Sequence, residues 1–224
     1  DSIYLNPKLF ARVETIYNQR GTLKLDPESL RLVEYDYKAF VHAGAKLSDA
    51  DKTKLKKFNE EESTLSAQFV NKLLAATKAA ALVVGDKSKL AGASAADIAA
   101  ATSAAKDRKL ESKFVIPLQN TTQQPELQTL TDRATREQLF NDSWTRAEKG
   151  DANDTRDTIA RIAQIRAQKA KLLGFDSFAA WTLEDQMAKT PSTALKFMDD
   201  LVPAATAKAT AEAGDIQAMI DKDG

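Results

Sequence analysis

The sequence predicts a mainly α protein, a multi-helical lobe with one small two-stranded β-ribbon. Apolar residues recur at intervals of three and four along most of the chain, which is the period of an amphipathic helix. Residues typical of helix starts precede these runs, as in Asn6-Pro7 and Asp26-Pro27. Two β-rich runs, Leu82–Val84 and Phe114–Ile116, end at turn residues and are too short to stand alone, so we expect them to pair.

The first three helices each carry a start or a stop signal. The first is expected from Asn6-Pro7 to Gly21, and the second from Asp26-Pro27 to Gly44. Ser48, with Asp51 three residues later, is typical of a capping box. It opens a longer third helix, and the short connections favour three antiparallel helices.

The middle of the chain has weaker helix signals around the predicted ribbon. Ser94 with Asp97 caps an alanine-rich helix between the two β-rich runs. After Gln124-Pro125 we expect helix again, broken near Asp132 and continuing towards Gly150.

Three further helices are expected in the last third of the chain. The first, over 154–173, ends at Gly174, and its predicted buried residues are Ile159, Ile162, Ala163 and Leu173. A shorter helix starts at Phe175-Asp176 and runs through Met187. Ser192 is predicted to cap the last helix, which Pro203 should kink. With no internal repeat or linker, residues 1–224 are taken as a single helical region.

Composition argues against several classes of partner. Lys plus Arg equals Asp plus Glu at 32 each, so no net field attracts nucleic acid or anionic lipid. The longest nearly apolar run, 75–84, is too short to span a bilayer. We therefore expect no nucleic-acid or membrane partner. The location that we predict is cytoplasmic. The periplasm stays open because the first residue is Asp rather than Met.

The stretch EKGDANDTRDTIARI, residues 148–162, begins like an EF-hand calcium loop. Such a loop needs glycine at its sixth position and glutamate at its twelfth, where this chain has Arg156 and Ile162. The acidic residues instead fit the N-terminal end of a helix, where carboxylates accept hydrogen bonds from free N–H groups.

Catalytic, cofactor and metal motifs are missing from the sequence. His42 is the single histidine, and its helix neighbours are Lys38, Ala39, Ala45 and Lys46, so no second ligand stands near it. No phosphate-binding loop of the G-x-x-x-x-G-K-[ST] type occurs. We therefore predict no catalytic, cofactor-binding or metal residue in this chain.

Three longer stretches nevertheless resemble one enzyme family. Residues 112–149, SKFVIPLQNTTQQPELQTLTDRATREQLFNDSWTRAEK, closely resemble a segment of the bacterial peptidyl-dipeptidases (dipeptidyl carboxypeptidases). Residues 151–191, with an LLG turn and a MAKTP element, are similar to the following segment, and residues 30–69 to a preceding one. The chain thus resembles the neurolysin-like zinc oligopeptidases, which include oligopeptidase A and thimet oligopeptidase.

The resemblance implies a mostly helical enzyme with two lobes beside a deep channel that admits short peptides. It also implies a zinc ion held by the two histidines of H-E-x-x-H and a later glutamate, and the release of C-terminal dipeptides. None of those groups can be placed on this sequence, which lacks the motif.

Two hypotheses follow from this resemblance. In the first, the chain is an inactive internal fragment that binds no zinc itself, part of the non-catalytic lobe and channel wall, with the missing catalytic part as its partner. The ending at Asp223-Gly224, without a cap or polar tail, favours it. In the second, the chain is a free-standing helical interaction module derived from that lobe.

Overall fold

The computed structural model describes residues 2–120 and 124–223, and it is helical apart from one ribbon. The described helices are α1 (Pro7–Gln19), α2 (Pro27–His42), α3 (Asp49–Ala79), α4 (Ala95–Asp107), α5 (Glu126–Thr129), α6 (Arg133–Trp144), α7 (Arg156–Leu172), α8 (Phe178–Leu183) and α9 (Pro191–Asp223). The strands are β1 (Leu82–Val84) and β2 (Phe114–Ile116), and a short 3₁₀ helix covers Lys87–Leu90. The mainly α fold class is confirmed.

The chain divides into two compact units. The first unit comprises residues 1–58 and 165–224, and the second unit comprises residues 59–164. Both divisions fall inside helices, one in α3 and the other in α7. Within the described residues, every helix is too short or too polar to cross a membrane.

Side-chain caps begin α1 and α4 where the sequence predicts them. The Asn6 carboxamide oxygen accepts hydrogen bonds from the backbone N–H groups of Lys8 and Leu9, at 3.0 and 3.1 Å. In α4, Ser94 accepts from the N–H of Asp97 while the Asp97 carboxylate accepts from the N–H of Ser94, which completes the predicted capping box. These bonds satisfy donors that a helix leaves unpaired in its first turn.

The ribbon has the predicted strands and lies in the core of the second unit. Leu82 is opposite Ile116 and Val84 is opposite Phe114, in antiparallel register. Leu82 is fully buried, as is Leu139 of α6 in the same apolar cluster. The short strands are therefore stabilised by packing against helices.

In the first unit, α1 packs against α2 through aromatic rings. The rings of Tyr17 and Tyr37 are stacked with centroids 3.7 Å apart, and those of Phe10 and Phe40 are 5.9 Å apart. Phe10 and Phe40 are buried. Each helix thus buries one phenylalanine of its apolar stripe, while Leu9 and Ile16 of the α1 stripe are 36% and 46% exposed.

The prediction for α7 is confirmed for the helix and wrong for its buried face. The helix runs unbroken, but Ile159 is 50% exposed and Ala163 is exposed, while Ile162 and Leu173 are half-buried. The buried residues here are Thr155, Thr158, Ile165 and Ala170.

Hydrogen bonding explains why two threonines occupy this buried face. The Thr155 hydroxyl donates to the carbonyl oxygen of Ala147 at 3.2 Å, and the Lys72 ammonium lies 3.4 Å from the Thr158 hydroxyl oxygen. Buried hydroxyls are tolerated when they are paired. The positions of apolar residues alone therefore predicted the wrong buried face for α7.

Two predicted boundaries near the C-terminus are also wrong. Ser177, rather than Phe175-Asp176, caps α8 by accepting from the N–H of Ala180 at 3.1 Å, and Met187 lies beyond the helix, fully exposed. Thr190, rather than Ser192, caps α9, because Pro191 fits the first helical position. The helix continues through Pro203, and the kink there stays a prediction.

Candidate ligand-binding site around His42

A cavity of about 640 Å³ lies in the first unit. Most of its lining residues come from α2 and from the segments that follow α7 and α8. Leu173 of the LLG turn and Lys189 of the MAKTP element line it together with His42. Two of the three stretches that carry the family resemblance, 30–69 and 151–191, thus meet at this cavity. In the third stretch, residues 121–123 lie outside the described residues.

His42 is held against Trp181 by two hydrogen bonds. Its Nε2 lies 2.9 Å from the carbonyl oxygen of Trp181, so Nε2 carries a proton and donates it. The indole Nε1 of Trp181 donates in return to the carbonyl oxygen of His42 at 3.1 Å. The two rings are stacked, with centroids 4.8 Å apart and planes 12° apart. The orientation of the imidazole is therefore fixed from two sides.

A carboxylate that local sequence reasoning missed stands beside this histidine. The Oε2 atom of Glu184 lies 3.5 Å from His42 Nε2, and Glu184 also lines the cavity. The helix neighbours of His42 offered no carboxylate, and Glu184 is far along the chain. No local spacing links the two residues, so a sequence pattern carries no signal for the pair.

The α2 wall of the cavity is cationic and aromatic. Arg31, Tyr35, Lys38 and His42 follow one another at spacings of four, three and four, which places them on one helix face. Arg31 makes a long ion pair with Glu34, at 3.9 Å. Within residues 2–120 and 124–223, Lys38 has no carboxylate partner at ion-pair distance. The wall can therefore receive an anionic group of a ligand.

The acidic stretch before α7 forms a turn and a cap, as predicted. The Asp154 carboxylate accepts from the N–H groups of Arg156 and Gly150, at 3.0 and 2.8 Å, and Asp151 accepts from the N–H of Asn153 at 2.8 Å. Hydrogen bonds from the Arg156 side chain are the largest cause that holds the pKa of Asp154 well below its ordinary value. These carboxylates thus accept hydrogen bonds from the local backbone and from Arg156.

Comparison with known proteins shows that the chain is similar to peptidases. Residues 126–224 match Peptidase family M3. Over 222 residues, 99% of the chain, the sequence is 56% identical to the dipeptidyl carboxypeptidase of Escherichia coli (strain K12), covering 33% of that protein. The dipeptidyl carboxypeptidase of Salmonella typhimurium is 53% identical over 221 residues, 99% of the chain and 32% of that protein. The oligopeptidase A of Escherichia coli is 29% identical over 161 residues, 70% of the chain and 24% of that protein.

These matches confirm the predicted resemblance to the dipeptidyl carboxypeptidases. The chain's residues 126–224 match Peptidase family M3, and nearly the whole chain is similar to the dipeptidyl carboxypeptidases. It spans about a third of the length of the curated relatives that it matches most strongly.

The residues of this chain do not fit the zinc ion of that family. Among the described residues, no three His, Cys, Asp or Glu side chains are grouped so that they could hold a metal ion. The Nε2 of His42 already donates to the Trp181 carbonyl oxygen, and Glu184 is the carboxylate paired with it. A catalytic zinc site needs three protein ligands. No zinc-dependent step is therefore assigned to these residues.

Proposed function

We propose that this chain is a non-catalytic helical part of a zinc metallopeptidase that removes C-terminal dipeptides from short oligopeptides. The observation that carries the proposal is the 56% identity to a dipeptidyl carboxypeptidase, which extends over 99% of the chain. Short peptides are then the substrates of the whole enzyme. The zinc and its ligands belong to a catalytic part outside these 224 residues.

Within that enzyme, the chain forms part of the wall of the substrate channel. The cavity around His42 supports this role, because its aromatic and charged side chains provide contacts that a peptide backbone and its ends can use. The proposal treats residues 1–224 as one helical region of the non-catalytic lobe. A cytoplasmic location goes with this function, and cell fractionation would distinguish it from the periplasm.

The test is expression of the complete gene that encodes this chain. We expect the purified product to contain zinc and to release dipeptides from the free C-terminus of a short peptide, detected by mass spectrometry. The same peptide with an amidated C-terminus is the control for the need of a free carboxylate. A gene that stops at residue 224, or a longer product without zinc-dependent dipeptide release, would contradict the proposal.

The alternative is a free-standing helical module that binds other proteins. The exposed apolar residues of α9 favour it, since Ile216, Met219 and Ile220 are 58–66% exposed. Gene structure separates the two functions, because the alternative needs no catalytic part in the same chain.

A further inference from the structure

The cavity around His42 is lined by charges of both signs. Arg31 and Lys38 lie on α2, whereas Glu184, Asp185 and Lys189 lie in the segment that follows α8. Glu184 is fixed near the C-terminal end of α2 by its 3.5 Å approach to His42. Lys38 lies four residues earlier on the same helix face, which is about 6 Å along the axis. The cavity therefore places an anion-binding group and a cation-binding group a short distance apart.

The dimensions and the other walls suit a small organic ligand. The volume of about 640 Å³ is within the range of ordinary ligand sites, about 300–1,000 Å³. Tyr4, Tyr35 and Phe175 add aromatic surface to the lining. A ligand that carries one charge of each sign can pair with a cation and with a carboxylate of this lining.

We propose that this cavity binds free dipeptides that carry an apolar side chain, with the peptide carboxylate near Lys38 and the peptide ammonium near Glu184. The two ends of an extended dipeptide are separated by roughly 7 Å, which is close to the spacing of the two protein charges along α2. The apolar side chain then packs on the tyrosine and phenylalanine rings. The choice of peptides as the ligand class rests on the proposed function.

Trp181 provides a reporter for binding. The chain has two tryptophans, and the other one, Trp144, is 62% exposed and lies in the second unit. A Trp144→Phe chain therefore carries Trp181 as its single tryptophan. Because His42 lines the cavity and stacks on Trp181, a ligand beside His42 should change the fluorescence of that indole.

The experiment is a fluorescence titration of the Trp144→Phe chain with Ala-Phe, its N-acetyl form and its C-terminal amide. We expect free Ala-Phe to bind, and each blocked form to bind about tenfold more weakly, as expected for the loss of one charge-assisted contact. Lys38→Gln should weaken binding of Ala-Phe about tenfold and leave the amide unchanged. Glu184→Gln should weaken binding of Ala-Phe and leave the N-acetyl form unchanged.

Matched controls make each outcome decisive. Lys171→Gln removes an exposed lysine outside the cavity and should leave the affinity for Ala-Phe unchanged. Equal binding of the free and amidated peptides, no binding at all, or tighter binding of a nucleoside diphosphate would overturn the inference. Dipeptide release by the complete enzyme is measured separately, so a chain that fails to bind Ala-Phe leaves the proposed function standing.

Discussion

His42 and Trp181 exchange hydrogen bonds in both directions although they lie far apart in the sequence. The imidazole donates to the Trp181 carbonyl oxygen at 2.9 Å, and the indole donates to the His42 carbonyl oxygen at 3.1 Å. The His42 carbonyl is in the last residue of α2, where helix carbonyls have no partner within the helix. Trp181 therefore caps α2 with its side chain.

Trp181→Phe should destabilise the first unit. The substitution leaves the His42 carbonyl oxygen without its donor and reduces the stacked area, which together correspond to about 1–3 kcal/mol in free energy of unfolding. Urea unfolding followed by circular dichroism measures the change. Trp144→Phe is the control, because Trp144 is exposed and stacks on Phe140 alone among the described aromatic residues. Equal losses in the two variants would contradict the capping role.

Gly92→Ala should destabilise the second unit more than Gly150→Ala does. Both glycines have positive φ, +91° and +71°, so alanine costs about 1–2 kcal/mol of backbone strain at either position. At Gly92 a β-carbon would also lie 2.0 Å from the carbonyl oxygen of Thr129, whereas at Gly150 the space is open. Thermal unfolding of the two variants measures the difference. A smaller loss of thermal stability for Gly92→Ala than for Gly150→Ala would contradict the close approach of Gly92 to the Thr129 carbonyl oxygen.

Asp132 should make α6 sensitive to acid. Hydrogen bonds from Thr135, and then from Lys89, lower the pKa of Asp132 from 3.8 to about 2. Because the folded pKa is depressed, the stabilisation is present above about pH 4 and is lost as the pH falls towards 2. Asp132→Asn should therefore lower the urea midpoint at pH 7, and the difference from the wild type should shrink below pH 4.

Asp176→Asn is the control for this pH dependence, since Asp176 is exposed and lies outside the helices. The same urea unfolding experiment on that variant measures the effect of an Asp-to-Asn change at an exposed site. A gap between Asp132→Asn and the wild type that stays constant down to pH 2 would rule out the carboxylate as its source.

The 224-residue chain by itself should neither hydrolyse peptides nor bind zinc stoichiometrically. The reason is its donor set, with one histidine whose Nε2 already donates to a backbone carbonyl. Metal analysis after dialysis, together with a fluorogenic peptide assay, measures both properties. One tightly bound zinc ion per chain that is lost in His42→Ala would disprove this prediction.

The apolar stripe near the C-terminus should cause association. Ile216, Met219 and Ile220 lie at spacings of three and four on α9 and are 58–66% exposed. Burial of such a stripe contributes roughly 25 cal/mol for each Å². We expect the chain to self-associate, or to bind the catalytic part of its enzyme when the two are co-expressed, in sedimentation experiments.

Met219→Lys should weaken this association, whereas Ala218→Lys, on the other side of the helix, should leave it unchanged. A chain that sediments as a monomer and ignores the catalytic part, while that part is fully active alone, would contradict the assignment to a peptidase lobe.

The local signals of the sequence were sufficient for most of the secondary structure. Asn6, Asp26 and Ser94 cap helices because their side chains reach N–H groups two or three residues away, and such distances are set by the backbone alone. The strands of the ribbon were predictable for a similar reason, since β-rich runs bounded by turns have few alternatives. The resemblance to a known family was also recognisable from the sequence alone.

The tertiary structure decided which faces are buried and which residues line the cavity. Thr158 is buried and Ile159 is exposed because a hydroxyl that finds a partner tolerates burial, and that partner, Lys72, lies on another helix. The approach of Glu184 to His42 depends on how the chain after α8 returns to α2. Contacts between residues so far apart in the chain depend on how the helices pack, and the local spacing of residues does not predict them.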